Sequence, residues 1–330
     1  RLADAQALYE KVRLLADETP LPASERQRYR IRGWAGVAAV AEVRRQWQTA
    51  RDALQQWLEL EPKAGSARQR LARAIFHLGQ TEEALAELRR AVELDPALEP
   101  AEVSFAKLHA ETSDTPQASL WFAQAARQLL DDPRAQLAQA SWLLQQEQPE
   151  EARPFAEAAV RLDPQALQPQ LILALIARQL QDFAQAEHRL QTIIERTPAD
   201  FAATNQLALV LIERSGEPQR QRALQLAEIN ARQYPQHPEA RATLGWIELR
   251  LGRLAEARAD LQVAVSGGEA SADTAYYLAR LHAQSGDRDE ARRLVRDTLA
   301  APLGRFFNRQ HAQRWWDDDL GKEVESNSSE

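Results

Sequence analysis

The sequence predicts an all-α solenoid of antiparallel helix pairs, and three columns of residues predict it. Small residues stand at Ala38, Ala72, Ala106, Ala140, Ala174 and Ala208, each 34 residues after the last, then at Gly245 after 37 and Ala279 after 34 more. A second small column runs Ala50, Ala84, Ala118, Ala152, Ala186, Ala223, Ala257 and Ala291. Four residues after the second comes a bulkier one, at Leu54, Leu88, Phe122, Leu190, Leu261 and Val295, with smaller Ala156 and Ala227. Small residues at two fixed points let two helices cross closely, and large ones beside them fill the seam. A single pair cannot bury its apolar face alone, so each unit needs its neighbours.

The elements follow in order. Residues 1–30 hold an N-terminal amphipathic helix with Leu2, Ala5, Leu8, Tyr9, Val12 and Leu15 on one face, ended by Pro20 and Pro22, and a linker. This helix reads as the second half of a repeat that begins upstream of Arg1. Residues 31–303 hold about eight repeats, starting near 31, 65, 99, 133, 167, 201, 238 and 272. Residues 65–98 display the unit: two short helices, a turn at Gly79, and a stop at Asp95-Pro96. Pro62, Pro164, Pro198 and Pro235 close other units, because proline cannot continue a helix interior. Gly79, Gly252 and Gly286 mark the turns inside units, where a residue without Cβ takes a left-handed conformation. The one 37-residue step is a longer linker around Ser215-Gly216-Glu217-Pro218. Gln139 replaces an apolar seam residue, and Asn230 stands where Ala91 and Ala264 stand. Residues 304–320 leave the pattern and read as a capping segment, with Phe306, Phe307, Trp315 and Trp316 covering the last repeat's seam or serving as an aromatic docking site. Residues 321–330 form a polar tail expected to be disordered.

These columns resemble the tetratricopeptide repeat family. Its pattern W-x2-L-G-x2-Y…A-x3-F…P is matched by Trp34, Val37, Ala38, Ala50, Leu54 and Pro62, then by Leu71, Ala72, Ile75, Ala84, Leu88 and Pro96, and later by Leu244, Gly245, Ala257 and Leu261. The resemblance implies a right-handed superhelical solenoid whose first helices line a concave groove. The loop at 252–257, GRLAEA, is similar to bacterial members of the family.

Composition excludes several function classes. There is no Cys, so disulfides, thiolate chemistry and Cys-ligated metals are out, while the compartment, cytoplasmic or periplasmic, stays open. A net charge of −7 argues against sequence-independent nucleic-acid binding, which runs on phosphate neutralisation. No apolar run approaches the ~18 residues a membrane span needs. No nucleophile elbow, phosphate loop or paired-His metal spacing occurs, so neither enzyme activity nor a cofactor or metal is expected. His109 and His282 fall in the seam column of Ile75 and are expected to pack. Glu82-Glu83 and Glu150-Glu151 start second helices, where carboxylates complement the helix dipole. Asp317 to Asp319 are expected to be solvated.

The informative positions are on the first helices. Three columns share one helical face, because i, i+4 and i+7 are neighbours. Early units offer Arg73 and Lys107 there, and later ones Leu137, Leu144, Leu171, Leu175, Asn205, Leu209, Ile212, Trp246, Leu249, Tyr276 and Arg280. Of these, Leu137, Leu171, Leu175, Asn205, Leu209, Ile212, Trp246, Leu249, Tyr276 and Arg280 form the expected partner-binding set. An apolar groove with a basic end implies a protein or peptide ligand with an apolar or amphipathic segment, helical or extended. Changing Trp246 or Leu209 to Asp is then expected to abolish binding and spare the fold. Packing of these side chains against the neighbouring unit is the structural alternative. Functional alternatives are a homo-oligomer closed through the groove or the C-terminal aromatics, and the adaptor part of a larger enzyme lying upstream.

Overall fold

The computed structural model describes residues 2–18, 20–268, 270–301, 304 and 306–321; the polar tail from residue 322 lies outside them. Eighteen α-helices and no strand occur among the described residues. The chain divides into two compact units, residues 1–139 and 140–330.

The first unit holds α1 (Leu2–Glu18), α2 (Ala23–Val43), α3 (Trp47–Leu60), α4 (Gly65–His77), α5 (Thr81–Leu94), α6 (Ala101–Glu111), α7 (Thr115–Gln128) and the start of α8 (Pro133–Gln145). Residues 23–30, read as linker, are the first turns of α2, because Pro22 sets the extended entry from which the helix begins. The Tyr9 ring of α1 lies against Gly36 of α2, where a Cβ would fall 2.2 Å from a ring carbon. Only glycine allows that approach.

The second unit holds the rest of α8, α9 (Pro149–Leu162), α10 (Leu167–Gln179), α11 (Phe183–Arg196), α12 (Phe201–Glu213), α13 (Glu217–Gln233), α14 (Pro238–Arg250), α15 (Leu254–Val265), α16 (Ala272–Gln284) and α17 (Arg288–Ala300). A short α18 (Arg309–Trp315) and one π-type turn (Trp316–Leu320) follow.

Each pair is made by the residues that the spacing singles out. Every alanine of the two small columns is fully buried. Gly245 shows why: a Cβ there would stand 2.8 Å from Leu261 Cγ and 3.1 Å from the Ala257 carbonyl. The departures are absorbed locally. Asn230 is buried and accepts from Thr204 Oγ1 at 3.0 Å, so a polar pair replaces an apolar contact. Gln139 is buried too, its Oε1 without a donor.

The turns inside pairs repeat one device. Gly79, Gly252 and Gly286 have φ of 86°, 78° and 88°. Arg45, Ser113, Glu147 and Gln181 hold the same place with φ of 55–61°. Backbone bonds close each turn, from Gln46 to Ala41, Gln80 to Ile75, Asp114 to His109, Gln148 to Leu143, Asp182 to Ala177, Arg253 to Glu248 and Asp287 to His282. This six-to-one bond ends a helix through one left-handed residue. Asp114, Asp182 and Asp287 then cap the second helix, each accepting an N–H three residues on.

His109 and His282 belong to this device. Their Nδ1 atoms lie 3.0 and 3.1 Å from Asp114 and Asp287, the capping carboxylates of the next helices. His109 also packs edge-on against Phe76 and Phe105. Both imidazoles are structural.

Candidate functional site

In the second unit, α10, α12, α14 and α16 present their inner faces to one groove. A cavity of about 370 Å3 opens there, lined by Leu171, Leu175, Asn205, Leu209, Phe201 and Tyr277 among others. Leu171 and Leu175 are half-buried, with surface left for a ligand. Asn205 is buried, and its Oδ1 has no hydrogen-bond donor.

A second cavity, about 470 Å3, is lined by Glu213, Trp246, Arg250, Tyr276, Arg280, Asn308, His311 and Arg314. Trp246 and Tyr276 are each 5% exposed and form its floor. Arg250 reaches Glu213 at 2.5 Å and lies 5.4 Å over Trp246. Arg280 lies 4.4 Å over the ring of Trp315. Burial and then Arg314 push the His311 imidazole below its ordinary value; Glu213 pulls it back up, and Arg250 and Arg280 add smaller downward pushes.

The C-terminal segment lies between the cavities. Asp273, in the first turn of α16, accepts from the backbone N–H of Phe307 at 3.2 Å, the N–H of Asn308 at 3.1 Å and Asn308 Nδ2 at 2.6 Å. Burial pushes the Asp273 carboxyl up, while Arg178 and those donors draw it back. The Arg178 guanidinium sits 4.7 Å over Phe307. Arg309 donates to Glu147 at 2.5 Å and to the Leu299 carbonyl at 3.1 Å. Phe306 is buried edge-on to Tyr276. Thus Phe306, Phe307 and Trp315 turn to the inner face, while Leu320 is held at α17 by Arg292.

The ten expected partner-binding residues separate into groups. Leu171, Leu175, Asn205 and Leu209 meet at the first cavity, and Trp246, Tyr276 and Arg280 at the second. Ile212 and Leu249 are 3% and 2% exposed within the core. Leu137 is half-buried and belongs to the first unit. Leu209 and Trp246 are each 5% exposed within that same core, so an Asp at either place would strand a charge and damage the fold. The expectation that those substitutions spare the fold is therefore corrected: tight stacking of neighbouring pairs buries these side chains.

Residues that the columns did not mark are Asp273, Asn308, Arg309 and Glu147, whereas Arg178 falls in the same column as Leu144 and Ile212. Phe306 and Phe307 in a polar stretch were the available signal. The basic end of the first unit is neutralised, since Arg73 pairs with Glu111 at 3.0 Å and Lys107 with Glu99. Asp319 is taken by Arg288 and Trp315 Nε1, and Asp317 by Gln313. Among the described residues, no group of three or more acidic or His side chains could hold a metal, and no helix is long and apolar enough to cross a membrane.

Family models described as tetratricopeptide repeat match residues 44–103, 104–166, 173–230 and 219–274. No sequence among the curated proteins matches. Among solved structures, a tetratricopeptide repeat protein from Parabacteroides merdae is similar, with 14% identity, TM-score 0.59, 76% of this chain covered and 96% of that one. The Cut9 and Hcn1 hetero-tetramer of APC/C gives 16%, 0.54, 82% and 52%. The human IFIT1 dimer with m7Gppp-AAAA gives 15%, 0.55, 90% and 74%. At such identities the likeness is one of fold.

Proposed function

The chain belongs to the tetratricopeptide repeat family, a repeat scaffold for protein interaction, and from that premise we propose that the groove of the second unit holds an apolar segment of a partner protein. The scaffold does this without catalysis. The observation that carries the reading is the 370 Å3 cavity, where half-buried Leu171 and Leu175 meet a buried Asn205 acceptor lacking a donor. Apolar side chains of the partner cover the leucines, and an N–H of its backbone satisfies Asn205. Each fully buried leucine contributes about 1.5–3 kcal/mol, so two or three such contacts reach micromolar affinity only with help from polar ones, after association costs. Trp246, Tyr276 and Arg280 extend the same face, with Ile212 and Leu249 behind them and Leu137 as a separate contact of the first unit. Phe306 is already buried within the chain, which favours a partner over a homodimer closed by the C-terminal aromatics.

The test is partner capture by the full chain beside two variants. Leu175→Asp places a charge where surface is left and the core is not opened. Leu120→Asp changes an exposed leucine of the first unit. Capture is lost with the first and kept with the second; equal capture by Leu175→Asp refutes the groove.

A further inference from the structure

The second cavity differs in chemistry from the first. Arg250 comes from α14, Arg280 from α16, and His311 and Arg314 from α18, so cationic or donor groups from three helices converge on one space of about 470 Å3. One carboxylate lines it, Glu213, and Arg250 already engages that group at 2.5 Å. Arg280 and Arg314 have no carboxylate partner among the described residues. Arg314 Nε instead donates to the Gln310 carbonyl one turn back. The arginines are also held in place. Arg280 is stacked on Trp315 and Arg250 on Trp246; stacking leaves the edge of Arg280 free for oxygen acceptors and lowers the entropy lost on binding, while Arg250 stays with Glu213. Burial first and then Arg314 depress the His311 imidazole, against the upward pull of Glu213. All this stands in a chain of net charge −7, where general attraction for anions is absent.

We propose that this cavity is an anion-binding site that takes acidic side chains of the partner segment. The inference rests on the reading that the second unit's groove holds such a segment, and it adds the charge of the occupant: apolar residues at Leu171 and Leu175, carboxylates at Arg280 and Arg314. Carboxylates are favoured because the open cavity has room for more than one, and two unpaired guanidiniums from different helices present separate points of contact. Arg314 and His311 come from α18, so the C-terminal segment builds the site together with the repeats.

The experiment uses the full chain and fluorescein-labelled hexaglutamate, read by anisotropy at low salt. Saturable binding is expected, weakened tenfold or more by raising salt from 50 to 500 mM. Arg280→Gln with Arg314→Gln weakens it at least tenfold, and Arg314→Gln alone, at an exposed side chain that leaves the fold intact, weakens it several-fold. Circular dichroism confirms the helicity of both variants. Leu120→Asp, at an exposed leucine of the first unit, leaves hexaglutamate binding unchanged, and the probe reports on the cavity with no partner present, so failure of the partner reading and failure of this one are distinguishable. Absence of saturable binding, or binding unchanged in both arginine variants, overturns the proposal. So does tighter binding of inorganic phosphate or oligouridylate at the same arginines, which would assign the site to phosphoryl groups.

Discussion

Glu248 gives the strongest pH prediction. It lies on α14, is 7% exposed, and its Oε2 has no hydrogen-bond donor. Burial and the neighbouring Asp260, itself held by Arg241 at 2.7 Å, push the Glu248 carboxyl up to about 7 from an ordinary 4.5. Between those two values the folded chain keeps a proton that the unfolded chain releases. The contribution of Glu248 to stability is therefore fully present below pH 4.5, falls as pH rises through the window, and is lost above pH 7. At 1.36 kcal/mol per pH unit across that window, the loss is at most about 3 kcal/mol. Glu248→Gln keeps the shape and cannot ionise. Urea unfolding, followed by tryptophan fluorescence, is measured for both proteins from pH 4.5 to 8. The difference between them isolates this group from His77 and His311, whose depressed values act in the opposite direction. The variant gains on the wild type steadily as pH rises and levels off above pH 7. A difference that stays constant with pH refutes the account of a proton retained on Glu248.

Three further outcomes follow from the geometry. Gln181→Gly relieves a left-handed glutamine and stabilises the second unit by about 0.5–1 kcal/mol, whereas Gly79→Ala costs the first unit about 1 kcal/mol, both read by urea midpoints; opposite signs refute the turn argument. Gly245→Ala drives a methyl into Leu261 and costs about 1–3 kcal/mol, so a neutral result means the helices part freely. Arg309→Glu sets two carboxylates against each other at Glu147, which detaches the C-terminal segment; exchange at the Phe307 and Asn308 amides speeds at least tenfold, and adding Glu147→Arg restores protection.

The seam was legible because its code is local and periodic. Ala72 and Ala84 are buried for the same reason as Ala174 and Ala186, and the repeat displays that reason again and again. The turns were legible only in part. Glycine announced the left-handed place at Gly79, Gly252 and Gly286, but Arg45, Ser113, Glu147 and Gln181 adopt it too. At those four the closing hydrogen bonds of the turn impose the backbone, and residue type does not record it.

The groove was harder because its surface depends on what stacks beside each helix. Leu175 and Leu209 fall in one column of the sequence, yet one keeps surface and the other is 5% exposed. The difference comes from neighbours, not from the helix that carries them. The C-terminal segment shows the limit more sharply. Its bond from Arg309 to Glu147 joins residues far apart in a part of the chain that does not repeat, so no spacing rule reaches it. Its partner is nevertheless part of the pattern: Glu147 stands at a left-handed turn position that other units give to glycine. A glutamate there carries backbone strain of about 1 kcal/mol, and burial pushes its carboxyl up against the downward pull of Arg309. Arg45, Ser113 and Gln181 stand at the same place, so residue type alone does not announce the contact that Glu147 makes.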